Sequence, residues 1–108
     1  MIESTARAFN EALIKYDVNF QQETLYDGYK WTFAGTDGDV ALHSGTYGAR
    51  KGFVESYCFP WDDGDVTACP PAEMARRIAG YAANPDVEYT YSLEDFCDSV
   101  DYLFGEVK

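Results

Sequence analysis

The sequence predicts an α+β fold. The expected architecture is a single domain over residues 1–108, with a three- to four-stranded antiparallel sheet, one N-terminal helix and two C-terminal helices. Three observations predict it. Apolar residues recur at helical spacing near the N-terminus and again after Pro71, whereas between them they alternate with polar ones around turn residues. With 108 residues, 46% of them hydrophobic and 17% aromatic, the chain has room for one core and the apolar surface to fill it.

The first helix is marked by Ala8, Phe9, Ala12, Leu13 and Tyr16, with Ser4 or Thr5 as N-cap and an end near Asp17. A strand follows from Val18 to Tyr26, and Asp27-Gly28 is a strong hairpin signal. Tyr29, Trp31 and Phe33 alternate with Lys30, Thr32 and Ala34, the pattern of a half-buried strand with one aromatic face. Residues 35–39 close a second hairpin, and Val40 to Ser44 form a third strand. Residues 45–52 are a glycine-rich loop, and Phe53 to Phe59 are a fourth strand or an edge continuation. Residues 60–65 are a loop, and Thr67 to Pro71 lead into a helix with proline in its first turn, where a missing N–H does no harm. Met74, Ile78, Tyr81 and Ala82 are its apolar stripe, and Asn84-Pro85 ends it. Asp86 to Tyr91 connect to a last helix, opened by Ser92 as N-cap with Asp95 at the third helical position and closed near Gly105.

Charge narrows the function. Nineteen acids against eight Lys and Arg give a net of −11, which repels nucleic acid and argues against direct binding to it. The excess is uneven. Residues 1–51 carry seven acids and five bases, a net of −2, and residues 52–108 carry twelve acids and three bases, a net of −9. From Ile78 to Val107 there are seven acids and no Lys or Arg. No apolar run approaches the ~20 residues of a membrane span. The N-terminus lacks the apolar core of a signal peptide, so a cytoplasmic protein is expected. Cys58, Cys69 and Cys97, an odd count at irregular spacing, read as reduced structural cysteines.

The last helix carries the sharpest pattern. Leu93, Phe96, Cys97, Val100, Leu103 and Phe104 share one face, and Glu94, Asp95, Asp98 and Asp101 occupy the other. Each like-charge pair three or four residues apart costs a few tenths of a kcal/mol, and no cation offsets it. Dipole stabilisation explains Glu94 and Asp95 in the first turn, and solubility alone can make a chain acidic. The functional reading is an acidic surface that steers onto a basic groove, with Glu88, Tyr89 and Tyr91 beside it. Asp37 and Asp39 are ordinary turn residues that can extend that surface.

Chemistry is poorly served. His43 is the only histidine and reads as structural, and no carboxylate pair stands out by spacing. The stretch from Gly45 to Gly52 lacks the spacing of a phosphate loop, and Asp62-Asp63-Gly64-Asp65 lacks that of a calcium loop. The expectation is therefore a non-enzyme with no cofactor and no metal.

Arg76-Arg77-Ile78-Ala79-Gly80-Tyr81, then Glu88-Tyr89, then Glu94-Asp95-Phe96-Cys97-Asp98 set an amphipathic helix, a Glu-Tyr connector and an acidic-aromatic helix in series. That order, over about a quarter of the chain, resembles the small acidic anti-CRISPR proteins that inhibit type II-A Cas9 by DNA mimicry. Leu42 to Gly48 also looks like a His-Ser-Gly-x-Tyr-Gly stretch of small phage and conjugative-element proteins. The first resemblance implies a non-enzymatic inhibitor whose carboxylates occupy a basic surface that otherwise holds DNA. By position, its partner-binding residues are Asp37, Asp39, Glu88, Tyr89, Glu94, Asp95, Asp98 and Asp101. The implied partner is a basic nucleic-acid-binding protein such as Cas9 with its guide RNA, met by a monomer or small homo-oligomer. The chain departs from the family pattern in its longer middle, where the loop from Trp61 to Asp65 precedes the penultimate helix. Two other readings stand beside this one. An oligomeric accessory protein of a mobile element would be favoured by an exposed Trp31 and Trp61 cluster or by a dimer in solution, and a small hydrolase or isomerase would need a pocket uniting His43 with carboxylates.

Overall fold

In a strand, Tyr29, Trp31 and Phe33 must point to one side and Lys30 and Thr32 to the other, so one side of the sheet has to be covered. The computed structural model, which describes residues 2–62 and 64–83, shows two helices doing so. The element order is α1 (Ile2–Lys15), β1 (Gln21–Leu25), β2 (Gly28–Thr32), β3 (Asp39–His43), a one-turn α2 (Tyr47–Arg50), β4 (Val54–Tyr57), a 3₁₀ turn (Pro60–Asp62), β5 (Val66–Cys69) and α3 (Pro71–Ala83). The fold is α+β, with one antiparallel sheet in the order β1-β2-β3-β4-β5. The last helix expected from the sequence lies outside the described residues.

The sheet has five strands, one more than the upper expectation. The addition is β5. Val66–Cys69, which overlaps the lead-in expected from Thr67 to Pro71, pairs with β4 through Val54 opposite Cys69 and Ser56 opposite Thr67. Four residues with no clear alternation give too weak a local signal, and pairing with β4 decides the conformation. The glycine-rich stretch also differs from a plain loop. Thr46 caps α2, accepting a hydrogen bond from the Ala49 amide at 3.2 Å and donating to the His43 carbonyl at 3.0 Å. Gly45 and Gly52 flank that turn at φ +96° and +79°, where a side chain would be strained.

α1 starts at Ile2, so Ser4 and Thr5 lie inside it and Thr5 is buried. Its inner stripe is Thr5, Ala6, Phe9 and Leu13, and Ala8 is exposed. The helix ends as its sequence suggests. Val18 donates its amide to Leu13 and Asp17 to Ile14, both at 3.0 Å, and Asp17 takes the left-handed conformation at φ +58°. α3 starts at Pro71 with Pro70 accepting from the Met74 amide. Met74, Ala75, Ile78, Ala79 and Gly80 are buried, Tyr81 is half-buried and Ala82 is exposed.

The core is aromatic. Trp31 is fully buried, meets the Phe9 ring edge-on at 4.8 Å and donates its indole N–H to Asn10 Oδ1 at 2.7 Å. Asn10 in turn donates to Gln22 on β1 at 2.8 Å, so one amide links α1, β2 and β1. At the other side Phe59 and Trp61 stack at 4.5 Å, and Tyr81 of α3 stands edge-on to both. The Arg77 guanidinium, buried with its helix, lies 5.9 Å from the Trp61 ring.

The β4–β5 connection is held by a buried carboxylate. Asp62 is 4% exposed and accepts from the Ser56 hydroxyl at 2.8 Å and the Phe59 amide at 3.0 Å. The Trp61 indole N–H donates to the same Ser56 oxygen at 3.0 Å. Asp62→Ala leaves two buried donors short of an acceptor, and urea unfolding should show a loss of about 2–3 kcal/mol. Asp62→Asn keeps one acceptor and should lose less.

The first hairpin turns one residue earlier than the Asp-Gly signal suggests. Leu25 pairs with Gly28, so the turn residues are Tyr26 and Asp27. Gly28 opens β2 because the neighbouring strand crowds it: a Cβ there would stand 1.8 Å from the Leu42 carbonyl oxygen. Gly28→Ala should therefore cost about 3 kcal/mol or more by thermal melting, since a backbone atom cannot give way as a side chain can.

Candidate functional site

The registry that buries the aromatic stripe also composes the opposite face. Glu23 lies beside Lys30, Lys30 beside Ala41, and Ala41 beside Glu55. In the next row Thr32 lies beside Asp39, and Asp39 beside Tyr57. The strand residues of this face therefore include three carboxylates, Glu23, Asp39 and Glu55, against one ammonium, Lys30, and the half-buried His43, and α2, which lies over Glu55 and Ala68, brings Arg50 and Lys51 to the same side. Lys30 Nζ is 3.9 Å from Asp39 Oδ2 with both side chains partly in solvent, a weak contact.

A shallow groove of about 550 Å³ runs over this face, with Ala41 as its floor and Glu23, Leu25, Lys30, Asp39, His43 and Tyr57 around it. Burial pushes the Tyr57 phenol above its ordinary value, and the carboxylates of Glu55, Asp39 and Asp62 push it further the same way. All three carboxylates oppose a second negative charge, so the phenol senses a negative potential.

Asp37 and Asp39 stand where the sequence puts them, in and beside the β2–β3 turn. Asp37 is exposed and Asp39 is the half-buried first residue of β3. Between them Gly38 is buried against Phe59, whose ring atoms lie 2.6 Å from where a Cβ would be. The turn is thus seated on the β4–β5 connection, which carries the exposed Asp65. Ala83, the end of α3, lines one cleft with Ala34 and Asp17, so the chain leaves α3 at this same end of the sheet. Glu88, Tyr89, Glu94, Asp95, Asp98 and Asp101 lie outside the described residues.

The other features divide plainly. Asp62 is committed to its loop, and Asp65 accepts from the Val66 amide at 2.8 Å. Among the described residues no group of three or more His, Cys, Asp or Glu could hold a metal ion, and no helix is long and apolar enough to cross a membrane. Cys69 is buried at the end of β5 and Cys58 is exposed. His43 does meet a carboxylate: its Nδ1 lies 3.2 Å from Asp27 Oδ1. The Ser44 amide also donates to the Asp27 carbonyl at 2.8 Å, so the pair fastens the β1–β2 turn to the end of β3.

The sequence shows Asp37 and Asp39 as neighbours within one turn, whereas nothing local in it brings Glu23, Glu55 and Tyr57 together. Alternation in β2 marked the open face, yet which carboxylates become neighbours there depends on the registry. Comparison with protein-family models, with curated proteins and with solved structures returns no match.

The Tyr57 environment has a measurable consequence. A folded-state pKa raised above the unfolded value stabilises the protein below the unfolded pKa, and this is lost as pH rises through the folded one. Tyr57→Phe should therefore lose less stability than the parent in alkaline denaturation above the ordinary tyrosine range. In an ultraviolet difference titration, Glu55→Gln should bring the Tyr57 transition down toward that range.

Proposed function

We propose that the protein is a non-enzymatic inhibitor from a phage or mobile element. It binds, in the cytoplasm, the basic nucleic-acid-binding surface of a CRISPR effector such as Cas9 by acidic mimicry of DNA. One observation carries the reading: the carboxylates of the β2–β3 turn and of the β4–β5 connection lie at the end of the sheet where the chain enters its most acidic stretch. Asp37, Asp39 and Asp65 cluster at the end of the sheet where α3 finishes. Beyond it the chain has no Lys or Arg before Lys108 and carries Glu88, Glu94, Asp95, Asp98 and Asp101. Phosphate mimicry asks for such spacing of fixed negative charges without interleaved cations, which steers a basic partner and supplies acceptors for its Arg and Lys.

The accessory-protein reading loses its expected mark, because Trp31 and Trp61 are both core residues at 0% and 4% exposure. For the hydrolase reading, the His43–Asp27 pair lies at an open strand end, with Asp27 51% exposed, rather than in an enclosing pocket.

The test is titration of a purified Cas9–guide complex, and separately of other basic host nucleases, at low salt. Binding should weaken by on the order of tenfold or more when salt is raised to physiological strength. Reversal of Glu94, Asp98 and Asp101 to Lys should abolish it with the circular dichroism unchanged. Asp37→Lys with Asp39→Lys should slow association more than it speeds dissociation. Absence of binding to every basic nuclease at low salt would reject the reading.

A further inference from the structure

α1 and α3 pack on one side of the sheet, and no described helix longer than the single turn of α2 lies on the other. That side is not a uniformly solvated surface. Its middle is a groove floored by the small residue Ala41, with Glu23 and Lys30 on one wall and Tyr57 on the other. Lys30 is drawn toward Asp39, which leaves Glu23, exposed on β1, as a carboxylate without a cation on it among the described residues. Within the groove two carboxylates, Glu23 and Asp39, stand against Lys30, a surplus of one negative charge with His43 neutral.

A long cationic side chain fits this composition better than a compact ion does. It offers a stem to lie over Ala41 and Leu25 and a head to meet Glu23 and Asp39. Between the two cationic residues the groove favours arginine. Its planar guanidinium pairs with carboxylates through a rigid fork of donors and stacks on an aromatic ring, and Tyr57 supplies that ring. We propose that this open sheet face is a second contact surface that seats an arginine side chain from an extended basic segment of the partner. The inference rests on the reading of the protein as a binder of a basic partner, and it adds the chemistry of one contact. Burial is the largest cause of the raised Tyr57 pKa, and the carboxylates that add to it act in the same direction as this seat, favouring a cation beside the ring.

The experiment is a titration of isotope-labelled full-length protein with a penta-arginine peptide, and separately with penta-lysine, followed by amide chemical shifts at low salt. Shifts should concentrate at Glu23, Lys30, Ala41 and Tyr57, and penta-arginine should bind at least threefold more tightly than penta-lysine. Glu23→Lys should lose most of that affinity while its unperturbed amide dispersion reports an intact sheet. Tyr57→Leu should remove the arginine preference and keep the residual charge attraction. Equal affinity for the two peptides would overturn the guanidinium seat. Shifts confined to residues 84–108 would overturn the groove and leave the inhibitor reading standing. No shifts with either peptide would also overturn the groove, and the nuclease titration then decides the inhibitor reading separately.

Discussion

The burial of Trp31 is the constraint from which the rest follows. Its indole is sealed by Phe9 and must have an acceptor, because a buried N–H without a partner costs about 1–3 kcal/mol. Asn10 provides that acceptor and is itself held by Gln22. This places α1 across β1 and β2 at one rotation. Strand alternation then leaves no freedom: with Trp31 opposite Val40 and Gln22, the residues between them must face away. A slip of one residue would move the whole aromatic stripe into water. The acidic groove is therefore a by-product of the core registry, and its residues are neighbours because Trp31 is buried.

That dependence explains what was legible. The N-terminal helix, the alternating β2, the turn at residues 35–39 and the helix opened by Pro71 each carry a local signal, and each is present. Local signals failed where a partner decides the conformation. β5 is a strand because β4 offers it a ladder, and Thr46 makes a helical turn of a glycine-rich stretch by capping it. Gly28 looked like a turn residue because glycine has two uses, and the steric one depends on how closely the next strand approaches. The site divides the same way. Asp37 and Asp39 are two residues apart and visible as a pair, whereas Asp39 and Tyr57 meet only across a ladder.

The structure also separates acids that a composition count lumps together. Asp62 has both oxygens engaged and is nearly sealed from solvent, so it serves the β4–β5 connection. Asp17 adopts the left-handed conformation that ends α1, and Asp27 fastens a hairpin turn through His43. Of the acids that remain, Glu3, Glu11 and Glu73 lie on the two long helices, and Glu23, Asp37, Glu55 and the loosely paired Asp39 lie on the sheet and its β2–β3 turn. The sheet acids spread from the end of the β2–β3 turn across the face turned away from α1 and α3.

Edge protection offers a simpler account of Glu23, since a charged residue on an outer strand discourages pairing with another chain. It accounts less well for the inner strands. Asp39 and Glu55 lie on β3 and β4, both of which have neighbours on each side and no edge to guard. A carboxylate there gains nothing against aggregation by strand addition, yet it repels its fellows and raises the cost of ionising Tyr57. A face kept merely soluble would alternate the signs of its charges and relieve that repulsion, as Lys30 does for Asp39 alone. A partner that brings its own cations would relieve it beyond the one contact that Lys30 makes, which is the physical sense in which acids on interior strands suit the proposed recognition better than edge protection does.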